Sequence, residues 1–178
     1  MNSIGIVIGR MQPVHIGHKK LIDTALTEQG ICLLLLGGTQ EDMVDEMNPY
    51  TFEQRDMMLQ SLYPDSSLMI DYIYDTPTDK QWIENINDQI FRLGMFESVT
   101  FYCGDTKNDS AIQAIKKYQN ILDVEEIIFR EIDRSQVTIS HNDEQILVSA
   151  TRVREALINK DNELVQKMLP EEVYNLIS

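Results

Sequence analysis

The chain has 178 residues, 43% hydrophobic and 25% charged, which suits one globular domain with its own core and no need of disulfide staples. Its formal charge is −14, from 29 acidic against 15 basic residues with no basic tract. That balance argues against an extended nucleic-acid surface, which must neutralise phosphates with Lys and Arg. The longest apolar run, residues 31–36, is far short of the ~20 needed to cross a bilayer, and the Met-Asn-Ser-Ile start has no basic flank of a signal peptide. Cys32 and Cys103 lie in or at the end of apolar runs and read as buried reduced thiols. The expectation is a cytoplasmic protein with neither membrane nor nucleic-acid partners.

In chain order, residues 4–8 read as a strand, 17–29 as a helix, 31–36 as a strand and 51–62 as a helix. A strand over 68–74, a helix over 79–93, a strand over 99–103, a helix over 110–118 and a strand over 124–129 follow. The 79–93 segment places Trp82, Ile83, Ile86, Ile90 and Leu93 on one helical side. The first two strands are almost wholly apolar, as strands covered on both faces are. Residues 130–145 form a polar connector without an assignable structure, and helical patterning resumes at Ser149, with Pro170 opening a last short helix. Strand–helix alternation predicts an α/β fold: a Rossmann-like, doubly wound parallel sheet of about five strands. The whole chain, 1–178, reads as one domain, with an α/β core over 1–130 and a helical C-terminal part over 147–178.

In such a sheet ligands bind beyond the carboxyl ends of the strands. The first such end reads Gly9-Arg10-Met11-Gln12-Pro13-Val14-His15-Ile16-Gly17-His18. Gly9 allows close backbone approach, Pro13 stiffens the loop, and Gly17 stands at a helix start, where free N–H groups favour anions. On a helical turn His15 and His18 face the same way, so both can donate to one phosphate with Arg10 beside them. A lone His-x-x-His also fits one capping or core histidine, or a metal pair. With no cysteine or third histidine near and an arginine adjacent, the full string favours an anion. The tetrapeptide His15-Ile16-Gly17-His18 occurs in class I aminoacyl-tRNA synthetases and in smaller nucleotidyltransferases. The charge, the length and the lack of a lysine-rich second signature disfavour a synthetase fragment.

Residues 148–155, Val-Ser-Ala-Thr-Arg-Val-Arg-Glu, open an amphipathic helix. Ser149 and Thr151 suit both a helix start and phosphate oxygens, and Arg154 lies one turn inside, able to reach back over a triphosphate. A plain helix cap with solvated arginines is the other reading. Together the two motifs resemble those of the nicotinamide-mononucleotide adenylyltransferases, especially the archaeal type and the adenylyltransferase domain of bifunctional adenylyltransferase–Nudix enzymes. Gly9, Arg10, Gln12, Pro13, His15, Gly17 and His18 match the first motif. Ser149, Thr151 and Arg154 match the second, with Ala150 in a small-residue slot and Arg152 at a variable one.

The likeness extends over almost the whole chain. Residues 37–55, GGTQEDMVDEMNPYTFEQR, resemble the loop after the second strand, with Gln40, then Asn48-Pro49-Tyr50-Thr51 and Arg55. On that match Arg55 faces the ATP phosphates; a solvated helix arginine is the alternative. Trp82 resembles the tryptophan on which the family stacks the nicotinamide ring, though its apolar helix face alone would account for it. Gly104 and Asp105 resemble a Gly-Asp segment of the bifunctional members, near adenine or ribose. No Nudix box is present, so a second, hydrolytic activity is not implied.

The resemblance implies adenylyl transfer from ATP to nicotinamide mononucleotide, giving NAD and pyrophosphate by in-line attack on the α-phosphate. It places His15, His18, Arg10 and Arg154 as the catalytic set. Gly9, Gln12, Gly17, Arg55, Gly104, Asp105, Ser149 and Thr151 fall to ATP, and Trp82 to the mononucleotide. Mg²⁺ would arrive with ATP, its protein ligands unassigned; no tightly bound organic cofactor is implied, and relatives form homo-oligomers. Two alternatives stay open. One is a sibling nucleotidyltransferase acting on nicotinate mononucleotide, phosphopantetheine or a cytidylyl donor. The other is a non-catalytic NAD- or ATP-sensing module, against which the intact His15, His18 and Arg154 argue.

Overall fold

Side-chain alternation along strand β1 (Ser3–Gly9) sends Ile4 and Ile6 to one face and Val7 to the other, and all three are fully buried. Strand β2 (Cys32–Leu36) divides likewise, Leu33 and Leu35 opposite Cys32, Leu34 and Leu36. Both strands are therefore almost wholly apolar because helices cover the sheet on both sides. The computed structural model describes residues 2–38, 44–133 and 135–177.

The chain continues through α1 (Ile16–Gln29), α2 (Phe52–Leu62), β3 (Leu68–Tyr72), α3 (Asp79–Leu93), β4 (Ser98–Cys103), α4 (Ser110–Tyr118) and β5 (Glu126–Glu131). The five strands form one parallel sheet in the order β3-β2-β1-β4-β5, with Val7 level with Leu34 on one side and Tyr102 on the other. This is the doubly wound sheet expected, and the order reverses between β1 and β4, where such folds open a crevice.

One face packs α3 and α4 through Ile83, Ile86, Ile90, Ile112 and Ile115. The other packs α1 and three C-terminal helices, α5 (Ala150–Ile158), α6 (Asn162–Met168) and α7 (Glu171–Ile177). Val153, Ala156, Val165, Met168 and Val173 share one apolar cluster with Leu21 and Ile22 of α1, so the terminal helices close the main core.

Three expectations are adjusted. Leu93, placed on the buried side of its helix, is 39% exposed at the helix's last position. The fifth strand runs two residues later than its apolar pattern suggested, since at a sheet edge even Glu131 can pair. The connector contains a hairpin, β6 (Thr138–His141) with β7 (Glu144–Leu147), turned by Asn142 and Asp143, both with positive φ (49° and 63°). His141 ties this hairpin to α6 through a 3.3 Å contact of Nε2 with Asp161. Among the described residues, no helix is long and apolar enough to cross a membrane.

Candidate active site

The loop leaving β1 is anchored from below by Met11 and Val14, which are 1% and 0% exposed. Its polar groups are then fixed one by one. The Gln12 side chain donates from Nε2 to Tyr50 O (2.7 Å) and accepts from Tyr50 N–H (2.9 Å), joining this loop to the one before α2. Gln12 was expected to bind phosphate; its side chain is buried and braces two loops.

His15 is the N-cap of α1. Its Nδ1 accepts from Gly17 N–H (3.1 Å) and His18 N–H (3.4 Å), while His18 Nδ1 accepts from His15 N–H at 3.4 Å. The pair forms a capping box built of two histidines, their rings stacked with centroids 3.7 Å apart. This pattern assigns the proton of each neutral ring to Nε2, leaving an N–H donor on each. The cap reading is met, and the Nε2–H groups it leaves are the ones the paired-donor reading requires. His15 is 2% exposed and His18 only half-buried, so His18 is the more accessible donor. Gly17 lies under the His15 ring: a Cβ there would sit 3.0 Å from Cε1.

The second motif meets the first. Ser149 caps α5 by accepting from Arg152 N–H. One turn in, Arg154 donates from Nη1 to Gln12 O (2.7 Å) and from Nη2 to Thr151 Oγ1 (3.3 Å). Positions 142 residues apart in sequence therefore close on one loop.

Arg55 is a correction. Expected to face phosphates, its guanidinium is 1% exposed and held against main-chain carbonyls. Nη1 donates to Arg10 O (2.6 Å) and Gly37 O (2.9 Å), and Nε to Thr51 O (3.2 Å). The physical reason is the close approach of the chain just past the ends of β1 and β2, where the carbonyls of Arg10 and Gly37 need donors. Gln40, from the same matched stretch, lies outside the described residues.

Beside the loop, at the carboxyl ends of β1, β2 and β3, opens a cleft of about 630 Å³. Its floor is Ile8, Gly9, Gly37 and Ile73, and the first turns of α3 and α4 form its walls. Arg10 lines it, its aliphatic stem lying over Gly38, where a Cβ would meet Cγ at 3.1 Å and φ is +86°. Trp82, half-buried, lines it from α3 together with Thr76, Thr78 and Asp79; Asn108, Asp109 and Ser110 face it from α4.

Gly104 and Asp105 do not reach this lining. The Asp105 carboxylate is committed to its own turn, accepting from Asn108 Nδ2 and the N–H groups of Asn108 and Lys107, which hold its pKa below the ordinary value. The lining residues that sequence reasoning missed are mostly helix-start residues. Thr78 before α3 and Asp109 before α4 are N-cap types next to apolar periodicity, a signal that would have pointed to them. Cys103, at the end of β4, is buried with its thiol pKa pushed up to about 11, first by desolvation, which removes it as a nucleophile.

Comparison with known proteins agrees with this layout. Over 109 residues the chain is 27% identical to the nicotinamide/nicotinic acid mononucleotide adenylyltransferase of Acinetobacter baylyi, covering 60% of this chain and 57% of that protein. Over 84 residues it is 31% identical to the nicotinamide-nucleotide adenylyltransferase of Saccharolobus solfataricus, covering 47% and 48%. The matches thus span about half the length of these curated relatives. The fold superposes on a bifunctional NMN adenylyltransferase/ADP ribose pyrophosphatase from Francisella tularensis with a TM-score of 0.71 at 18% identity, covering 98% of this chain and 48% of that one. A cytidylyltransferase-like family model matches residues 6–156, from β1 through the Arg154 turn of α5. By that match, the chain belongs to the cytidylyltransferase-like family.

Proposed function

We propose that this chain transfers the adenylyl group of ATP to nicotinamide mononucleotide, giving NAD and pyrophosphate. The observation that carries the reading is the 2.7 Å bond from Arg154 to Gln12 O, which joins the hydroxyl–arginine helix start to the histidine loop beside the cleft. The two curated relatives, whose names state this reaction class, supply the acceptor.

The 5′-phosphate of the mononucleotide is already an anionic nucleophile, so the chemistry needs no general base. An oxygen of that phosphate bonds to the α-phosphorus as the bond to the bridging oxygen of pyrophosphate breaks. The protein must align the two and neutralise the charge that moves onto pyrophosphate. His18 and His15, each with Nε2–H, and Arg10 serve the α-phosphate and the transition state. Arg154, with Thr151 and Ser149 at the α5 start, serves the leaving pyrophosphate, and Trp82 offers its face to the cationic pyridine ring. Gln12, Gly17 and Arg55 act by positioning. Mg²⁺ enters as part of MgATP; among the described residues no group of three or more His, Cys, Asp or Glu could hold a metal, and the histidine pair offers donors suited to an anion.

The test is a matrix assay. Purified protein with Mg²⁺ is given ATP or CTP and nicotinamide or nicotinate mononucleotide, and dinucleotide and pyrophosphate are quantified. The expected result is equimolar NAD and pyrophosphate from ATP. Transfer only from CTP, or a thermal shift with NAD without turnover, would replace this reading with a cytidylyl or sensor one.

A further inference from the structure

The β6–β7 hairpin takes no part in the chemistry above, yet its base reaches the histidine loop. Val137, just before β6, is 9% exposed and shares the main apolar cluster with Met11, Val14 and Leu21. The space beside Gly17, where a Cβ would stand, is bordered by His15 Cε1 at 3.0 Å, His15 Nδ1 at 3.1 Å and Val137 Cγ1 at 3.8 Å. Val137 is itself fixed from both directions. Before it, Asp133 closes a turn, accepting from Ser135 N–H (2.9 Å) and Gln136 Nε2 (2.9 Å). Across the hairpin, its carbonyl accepts from the N–H of Val148 (2.9 Å), the residue that precedes the Ser149 cap of α5. The far end of the hairpin is tied to α6 by the contact of His141 with Asp161.

We infer that Val137 is a positioning residue for adenylyl transfer, holding the His15 ring at the angle from which its Nε2–H meets phosphate. The inference rests on the adenylyltransferase reading above. A side-chain ring is fixed by what its atoms bond, what lies on its face and what borders its edge. His15 Nδ1 accepts from two N–H groups of the α1 start, and the His18 ring lies on its face with centroids 3.7 Å apart. The edge is left to packing. Cε1 is the carbon between Nδ1 and Nε2, so the group that borders it limits how far Nε2–H can swing. Gly17 has no side chain to supply that limit, because the ring itself stands where its Cβ would be. Val137 supplies it from the far side of the chain. A donor aimed at a transition state works only if it does not reorganise, so lost packing there is felt in rate more than in binding. Through the Val148 bond the same residue is tied to the start of α5, and the two motifs share one strut.

The test compares Val137→Ala, Val137→Thr and Val173→Ala with the unchanged protein. It reads kcat, KM for MgATP and for nicotinamide mononucleotide, Tm, and the imidazole nitrogen shifts of His15 by NMR. Val173 is fully buried in the same apolar cluster but stands on α7, so Val173→Ala makes the same deletion in the core away from the loop. Val137→Ala is expected to lower kcat about tenfold, with each KM changed less than about twofold, and to move the His15 shifts. Val137→Thr keeps the shape at Gly17 while burying a hydroxyl, so kcat should stay within about twofold although Tm falls. Val173→Ala should lower Tm and leave kcat and the His15 shifts in place. A kcat that follows Tm across the three variants, or His15 shifts unmoved in Val137→Ala, would overturn the inference while leaving adenylyl transfer standing. If the unchanged protein makes no NAD, the adenylyl reading falls, and the His15 shifts alone decide whether Val137 orients the ring.

Discussion

The histidine loop and the cleft meet at Gly9 and Arg10, yet they are built in opposite ways. In the loop, Gln12 and His15 are 2% exposed and Arg55 beneath it 1%; Gln12 and Arg55 hold main-chain groups of neighbouring segments, and His15 those of its own helix start. In the cleft, Arg10, Asp79, Asn108 and Ser110 are exposed and Trp82 half-buried. On the proposed function, reacting phosphates need donors that do not reorganise, and the buried Gln12 and Arg55 hold the loop that carries them in place. A substrate ring that must enter and leave is better met by an open wall with charge and one aromatic face. It follows that mutations in the loop mix folding with chemistry, whereas mutations in the cleft alter recognition with little cost in stability.

The sharpest separation comes from His18, the member of the loop that is only half-buried. His18→Ala should lower kcat by roughly 10²–10³ with a smaller change in the KM for ATP. An unchanged turnover number would remove it from the reaction. Next is Arg55→Leu, which leaves the carbonyls of Arg10, Gly37 and Thr51 without this donor. A loss of about 2–4 kcal/mol is expected, seen as a fall in Tm of roughly 5–15 °C. A stable Arg55→Leu protein with selectively weakened ATP binding would restore the phosphate role that its burial argues against.

Gly17→Ala should cost about 1–3 kcal/mol through overpacking against His15 and lower turnover with it. Trp82→Phe, in contrast, should raise the KM for the mononucleotide a few-fold with Tm almost unchanged. If it unfolds the protein instead, the contrast between loop and cleft fails at that residue.

The smallest effect concerns the loop after β4. Glu131 accepts from Thr106 Oγ1 and Thr106 N–H, and these bonds hold its pKa below the ordinary 4.5. Its stabilising contribution is present above that value and lost as pH falls through the lowered one. Melting curves of Glu131→Gln and the unchanged protein should therefore differ slightly at pH 7 and converge under strongly acidic conditions.

Much of this layout was legible in the sequence, for identifiable reasons. The five strands and their parallel arrangement follow from apolar runs separated by helical patterns. The two motifs were visible because Gly, His and Arg at fixed spacing have few structural alternatives. Arg55 was misplaced because burial of an arginine under two strand ends depends on tertiary approach, which local sequence does not encode. Gln12 belonged to the motif, but its partner, the backbone of Tyr50, could not be read from it. The Asn142–Asp143 turn was missed because it lacks the glycine that usually marks such hairpins. The cleft wall was missed for another reason: Thr78 and Asp109 read as ordinary helix caps, and only the fold turns both helix starts toward one space.

On the proposed function, the histidine loop and the α5 start act as one unit on the same phosphates. A double-mutant cycle on kcat for MgATP and nicotinamide mononucleotide, with His18→Ala, Arg154→Ala and the pair, tests it most directly. One unit predicts that the double variant loses little more than the more damaging single variant. Losses that simply multiply would show two independent groups and no shared action on the phosphates.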